Sequence, residues 1–172
     1  MAAVNAVDLM NDAFERIRET VHRLVEDLRP DQLSFRVDGK ANSIAWLIWH
    51  LTRVQDDHVA EVAGTEQLWT SAGWHERLAL PFDPSDTGFG HSSDEVAAVR
   101  VESGELLTGY HDAVHNFTKT FVGGLQDGDF ERIVDERWDP PVSLGVRLVS
   151  VINDDLQHVG QAAFVRGLLP DS

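Results

Sequence analysis

The sequence predicts an all-α protein, a four-helix bundle with a long crossover connection. Two observations lead there. Four stretches carry apolar residues at alternating spacings of three and four, the pattern of helices with one buried face. Long irregular segments join the second stretch to the third and the third to the fourth. The first of these can reach from one end of a bundle to the other, so helices two and three are expected to run parallel. No repeat, low-complexity tract or linker divides the chain, which reads as a single domain over residues 1–172.

In helix one, Val7, Met10, Phe14, Ile17, Val21, Leu24 and Leu28 form the apolar stripe, and Pro30 is the expected stop. Helix two is expected to start at Asn42 or Ser43, either of which can cap it. Ile44, Leu47, Ile48, Leu51, Val54, His58 and Val62 line its inner side, and Gly64 ends it. Residues 65–91 read as an irregular connection rich in glycine, proline and aromatics. Helix three opens with a capping box, Ser92 to Glu95, and buries Val96, Val99, Leu106, Tyr110, Val114, Phe117 and Phe121 before Gly123-Gly124. Gly104 and Gly109 within it permit close packing or a bend. Residues 125–142, with Pro140-Pro141, read as an extended connection with room for a short strand. Helix four starts near Ser143 and buries Leu144, Leu148, Val151, Ile152, His158, Ala162 and Val165.

Acids outnumber bases 29 to 14, a formal charge of −15 over 172 residues. Such a surface repels phosphate backbones and anionic lipid, so neither nucleic acid nor membrane is an expected partner. No apolar run spans a bilayer and no signal peptide is evident, which predicts a cytoplasmic protein. The chain has no cysteine, which excludes disulfides, thiolate metal sites and a cysteine nucleophile. Any thiol chemistry requires a thiol supplied by a small molecule.

The chemistry-bearing residues are His50 on helix two, and Asp154 with His158 on helix four. Asp154 and His158 are four residues apart, so a helix stacks both on one face. With His50 they offer two imidazoles and a carboxylate from two helices. That donor set suits a divalent transition metal, Zn²⁺ first, with Ni²⁺ or Fe²⁺ as alternatives, and leaves positions open for substrate. Asp155 is a rival carboxylate, three residues from His158; the i, i+4 pair stacks more directly. The bland reading is a hydrogen-bonded core histidine and a local Asp–His pair.

Other polar residues divide similarly. His111-Asp112-Ala113-Val114-His115 resembles a helical zinc motif, but its histidines lie beside the apolar stripe and are expected to be flanking and partly exposed. His58 reads as a core histidine or as a group supporting the ligands. Trp46, Trp49, Trp69 and Trp74 read as core, with a pocket wall as the alternative. Arg53, one turn beyond His50, is a candidate to receive a polar or anionic ligand group; the alternative is a solvated arginine.

The segments Asn42–Leu51, Gln67–Thr70 and Asp154-Asp155-Leu156-Gln157-His158-Val159-Gly160-Gln161 resemble the DinB superfamily, and within it the actinobacterial mycothiol-transferase branch. The resemblance runs from helix one to Pro170. It implies an up-down-down-up bundle and a metal on three residues, commonly histidines, which fall here on His50, Asp154 and His158. Asp154 departs from the common pattern, although related thiol-dependent isomerases carry an acid there. The resemblance also implies mycothiol as cosubstrate and an electrophilic small molecule as its acceptor. The same site suits a hydrolase or a thiol-dependent isomerase, and a non-enzymatic metal-binding stress protein is a third class. A homodimer is compatible with the sequence, and nothing in it demands one.

Overall fold

A computed structural model describes residues 4–170. Its architecture is all-α and built around four long helices: α1 (Ala6–Val25), α3 (Ile44–Ala63), α7 (Gly104–Gly123) and α8 (Leu144–Gly167). Between them lie the short helices α2 (Pro30–Leu33), α4 (Leu68–Ser71), α5 (Trp74–Leu78) and α6 (Ser93–Ala98). Cross-helix contacts fix the directions. Glu15 meets His115 while His22 meets Asp112, so α1 and α7 are antiparallel. Thr52 meets His111 and Gln55 meets Thr118, so α3 and α7 are parallel. His50 faces His158 and His58 faces Arg147, so α3 and α8 are antiparallel. The result is the up-down-down-up order.

Asn5 caps α1, and its capping box with Asp8 satisfies two end groups reciprocally. Phe14, Ile17, Val21 and Leu24 are buried along the expected stripe, each worth roughly 1.5–3 kcal/mol of apolar transfer. The helix ends at Val25, before the expected stop. Pro30 instead opens α2 from its first position, where its missing N–H costs nothing. Ser43 caps α3 and Gly64 closes it in the left-handed conformation. From Ile44 to Arg53 every side chain of α3 is buried, which marks it as the central helix.

Two expectations need correction. The 65–91 connection is not wholly irregular, because α4 and α5 form within it. α4 has no cap of its own; the buried carboxylate of Asp56 accepts from Leu68 N–H at 2.9 Å and Trp69 N–H at 2.8 Å. Helix three is two helices. α6 stops at Ala98, and Val99-Arg100-Val101 runs extended with both valines buried and Arg100 exposed, a period of two. α7 begins afresh at Gly104, whose missing side chain lets it lie on the end of α1; a Cβ there would sit 2.9 Å from the Val25 carbonyl. The 125–142 connection carries a short strand as expected, in a two-stranded antiparallel ladder of β1 (Ile133–Asp135) with β2 (Val142–Ser143).

The inner face of α7 is also displaced. His111, His115 and Thr118 are buried with Leu107, Tyr110 and Val114, while Phe117 is only half-buried. His111 and His115 are therefore core residues rather than flanking ones. His111 donates Nδ1–H to Thr52 Oγ1 at 3.0 Å, because the threonine's own hydrogen goes to the Ile48 carbonyl. Burial pulls the His111 pKa down to about 3. The unfolded chain then binds the proton more tightly, so stability is complete above pH ~6.5 and is lost on acidification toward pH 3. His111 alone is expected to remove about 1.4 kcal/mol per pH unit below that value. Urea unfolding from pH 7 to pH 5 checks this, with His111→Gln flattening the slope.

Candidate metal centre

Burial on α3 and position on α8 bring the three expected ligands together. Ring nitrogens of His50 and His158 and a carboxylate oxygen of Asp154 all lie within 4.8 Å of one another. Among the described residues this is the one group of three such side chains within metal-binding reach, and the His111–His115 pair has no part in it. The His50 and His158 rings meet edge to face, with centroids 4.8 Å apart. His50 is buried, while the His158 and Asp154 side chains keep 15% and 33% of their exposure, so the cluster opens toward solvent from the α8 side.

The hydrogen bonds set the imidazole tautomers. His50 Nδ1 lies 2.6 Å from the Thr87 carbonyl, and His158 Nδ1 lies 2.8 Å from the Asp154 carbonyl. A carbonyl only accepts, so each Nδ1 carries the hydrogen and each neutral ring keeps its lone pair on Nε2. Asp154 Oδ2 is buried without a hydrogen-bond partner, its contact to His158 Nδ1 being 3.4 Å. Two free imidazole lone pairs and an unsatisfied carboxylate oxygen form a donor set that fits a divalent cation.

Electrostatics separates the two histidines. Burial lowers the His50 pKa, opposed by the Thr87 carbonyl and reinforced by His158. Burial acts the same way on His158, but the Asp154 carboxylate and carbonyl outweigh it and raise the pKa. For Asp154 burial is likewise overcome, by His158, His50 and His58, and its pKa falls.

The crossover connection supports His50. Gly88, at φ +89°, carries the chain against the His50 ring; a Cβ there would meet Trp49 at 2.8 Å and His50 Nδ1 at 3.0 Å. Trp46 stacks on the His50 ring, with centroids 4.5 Å apart, and donates its Nε1–H to His91 at 3.1 Å. His91 in turn bonds Asp86 at 3.0 Å. Thr87, His91 and Gly88 are functional neighbours that sequence reasoning missed; a backbone carbonyl leaves no trace in side-chain pattern.

The remaining candidates have other placements. Arg53, a candidate for a ligand group with a solvated arginine as the alternative, is fully buried and donates to the carbonyls of Asp86 and Pro84 and to Gln67 Oε1. It clamps the crossover instead. His58 is half-buried and its Nδ1 accepts from Arg147 at 2.7 Å. Trp46, Trp49 and Trp69 are buried, and Trp74 packs against the core, where it covers Gly109.

Asp155 points into the core, not to the cluster. It is fully buried, and neither oxygen has a partner among the described residues. Burial, added to by Asp154, pushes its pKa well above the ordinary carboxylate value. The folded state therefore holds the proton more tightly, and stability falls as pH rises through the window above ~3.8. Asp155→Leu is expected to raise stability at pH 7.5 by about 1–3 kcal/mol and to leave metal stoichiometry intact. Denaturant unfolding with elemental analysis checks both.

An all-α bundle of this order, with an imidazole–carboxylate cluster on its α3–α8 seam, is DinB-like. The family model of Mycothiol-S-transferase matches residues 9–170, and the chain belongs to that family. A crystal structure of a conserved protein from Enterococcus faecalis superposes with a TM-score of 0.90 at 28% identity, over 96% of this chain and 98% of that one. A search of the curated proteins finds no match. Membership makes thiol transfer the activity at the level of the family. Among the described residues no helix is long and apolar enough to cross a membrane.

Proposed function

We propose that the protein transfers a low-molecular-weight thiol, mycothiol or a close relative, to an electrophilic small molecule at a divalent cation held by His50, Asp154 and His158. His50, Asp154 and His158 would hold the cation, which would supply Lewis acidity favouring ionisation of the thiol at neutral pH. The thiol proton leaves to solvent. The sulfur forms a bond to the electrophilic carbon, and the leaving group departs with the pair of the broken bond. Zn²⁺ suits the set because it tolerates imidazole and carboxylate and has no redox chemistry of its own.

The chain's contribution is placement. Thr87 and the Asp154 carbonyl hold the two tautomers, and Asp154 supplies one negative charge. Trp46 covers the His50 ring and keeps water from its buried side. The observation that carries the reading is the pair of Nδ1–H groups spent on backbone carbonyls beside an unpartnered carboxylate oxygen. The absence of cysteine supports a nucleophile brought from outside.

Zinc-loaded protein mixed with mycothiol and bromobimane tests the reading. Thiol-dependent acceleration of conjugate formation is expected. Turnover of ester or amide substrates with no thiol present would replace the transferase by a hydrolase.

A further inference from the structure

The cluster lies partway along the seam of α3 and α8, and a groove opens on each side of it. The two grooves have opposite chemistry. Toward the start of α3, Leu47 (one turn before His50) and Gln161 (one turn after His158) share a cavity of about 650 Å³ with Ala41, Phe164 and Val165. Its wall is mostly apolar, and Lys40 is the one charged residue lining it. Phe164 is 67% exposed although it is a large apolar side chain.

In the other direction, His58 (two turns beyond His50) and Ser150 (one turn before Asp154) share a cavity of about 430 Å³ with Asp135, Arg137, Trp138 and Arg147. Asp135 bonds Arg137 at 2.8 Å and Arg147 at 2.9 Å, an arrangement of fixed charge. Trp138 stands over it, 66% exposed. A helix rises 1.5 Å per residue, which puts Ser150 roughly 6 Å from Asp154, and His158 roughly 4.5 Å from Gln161, along the axis. A small molecule in either groove can therefore extend a reacting atom to the cluster.

We propose that the two grooves divide the two substrates, the Trp138 groove taking the polar, hydroxyl-rich carrier of the thiol and the Phe164 groove taking an apolar electrophile. The assignment rests on the thiol-transfer reading and deepens it. A hydroxylated carrier finds donors in the exposed Arg137 guanidinium, an acceptor in Ser150 Oγ, whose own hydrogen goes to the Val146 carbonyl, and an aromatic face in Trp138 for its C–H surface. An apolar molecule placed there would strip water from fixed charges without replacing those bonds. In the other groove the same molecule gains from covering Phe164, 67% of which is exposed, beside the apolar floor of Leu47 and Val165. Sulfur and carbon then meet over the cluster from opposite ends of the seam, the C–S bond forming as the leaving group departs with the electron pair of its broken bond to carbon.

Steady-state kinetics of the zinc-loaded protein with mycothiol and 1-chloro-2,4-dinitrobenzene tests the division. Calorimetric titration with S-methyl mycothiol, which has no ionisable sulfur, and with unreactive 2,4-dinitrotoluene reads the grooves without turnover. Phe164→Ser is expected to raise KM for the dinitrobenzene about tenfold and to weaken dinitrotoluene equally, with S-methyl mycothiol unchanged. Trp138→Ala is expected to do the reverse. Both side chains are largely exposed, so both variants keep the fold. Both affinities falling together in either variant, or neither falling, overturns the division. Absence of turnover with both binding patterns intact removes the transfer reaction and leaves the division standing.

Discussion

Substituting His158 or His50 by alanine is expected to cost metal affinity by well over 100-fold, beyond the 10–100-fold typical of groups that only support a ligand. In the proposed site each supplies one of three donors, and each has its Nδ1–H already committed to a carbonyl. The remaining two donors cannot enclose a cation against water. Thiol transfer is expected to fall with metal content, not through a change in thiol KM. Thermal stability gives a second readout: metal at 1,000 times its Kd adds about 4 kcal/mol to the wild type, and this increment vanishes in the variants. Asp154→Ala belongs with the histidine variants. Equal metal content in wild type and His158→Ala would remove His158 from the site.

The largest expected loss of stability comes from Asp56→Ala. Asp56 is fully buried and accepts from Leu68 N–H, Trp69 N–H and the Tyr110 hydroxyl at 2.9, 2.8 and 2.7 Å. The Arg53 guanidinium lies 3.9 Å away with no exposure of its own. Burial pushes the Asp56 carboxyl above its ordinary pKa, against the pull of Tyr110, the two N–H groups and Arg53. Alanine leaves the guanidinium without its counter-charge, two helix-start N–H groups without an acceptor, and the buried Tyr110 O–H without an acceptor. Removing one partner of such a buried set costs about 3–5 kcal/mol, which lowers Tm by roughly 10 °C in a chain of this size. Scanning calorimetry measures it, and Asp56→Asn, which keeps one acceptor oxygen, should recover part. The effect is expected to reach the candidate metal centre, because Arg53 holds the Pro84 and Asp86 carbonyls and the next residue, Thr87, orients His50. Metal affinity of Asp56→Ala is expected to fall along with its stability.

The sequence disclosed most where apolar side chains alone define a face. The α1 stripe and the Ser92 capping box are where the spacing put them, and α3 and α7 run parallel as the length of the 65–91 connection allows. It disclosed less where polar residues share the core. His111, His115 and Thr118 on α7 and Asp155 on α8 are buried, and an apolar count passes over each. α4 escaped notice because its cap, Asp56, lies a dozen residues upstream, and non-local capping has no local signature. Convergence of His50 with Asp154 and His158 was legible because i, i+4 spacing fixes a helix face. Their outer support was not: Thr87 acts through its carbonyl, and His91 through a bond to Trp46 across the crossover.

Zinc K-edge absorption spectroscopy on the metal-loaded protein examines the His50–Asp154–His158 cluster at the atoms concerned. Two imidazole nitrogens with oxygen scatterers near 2.0–2.1 Å are expected, and His158→Ala should lose one imidazole. A first shell of oxygen alone, or one unchanged in both His50→Ala and His158→Ala, would contradict the account.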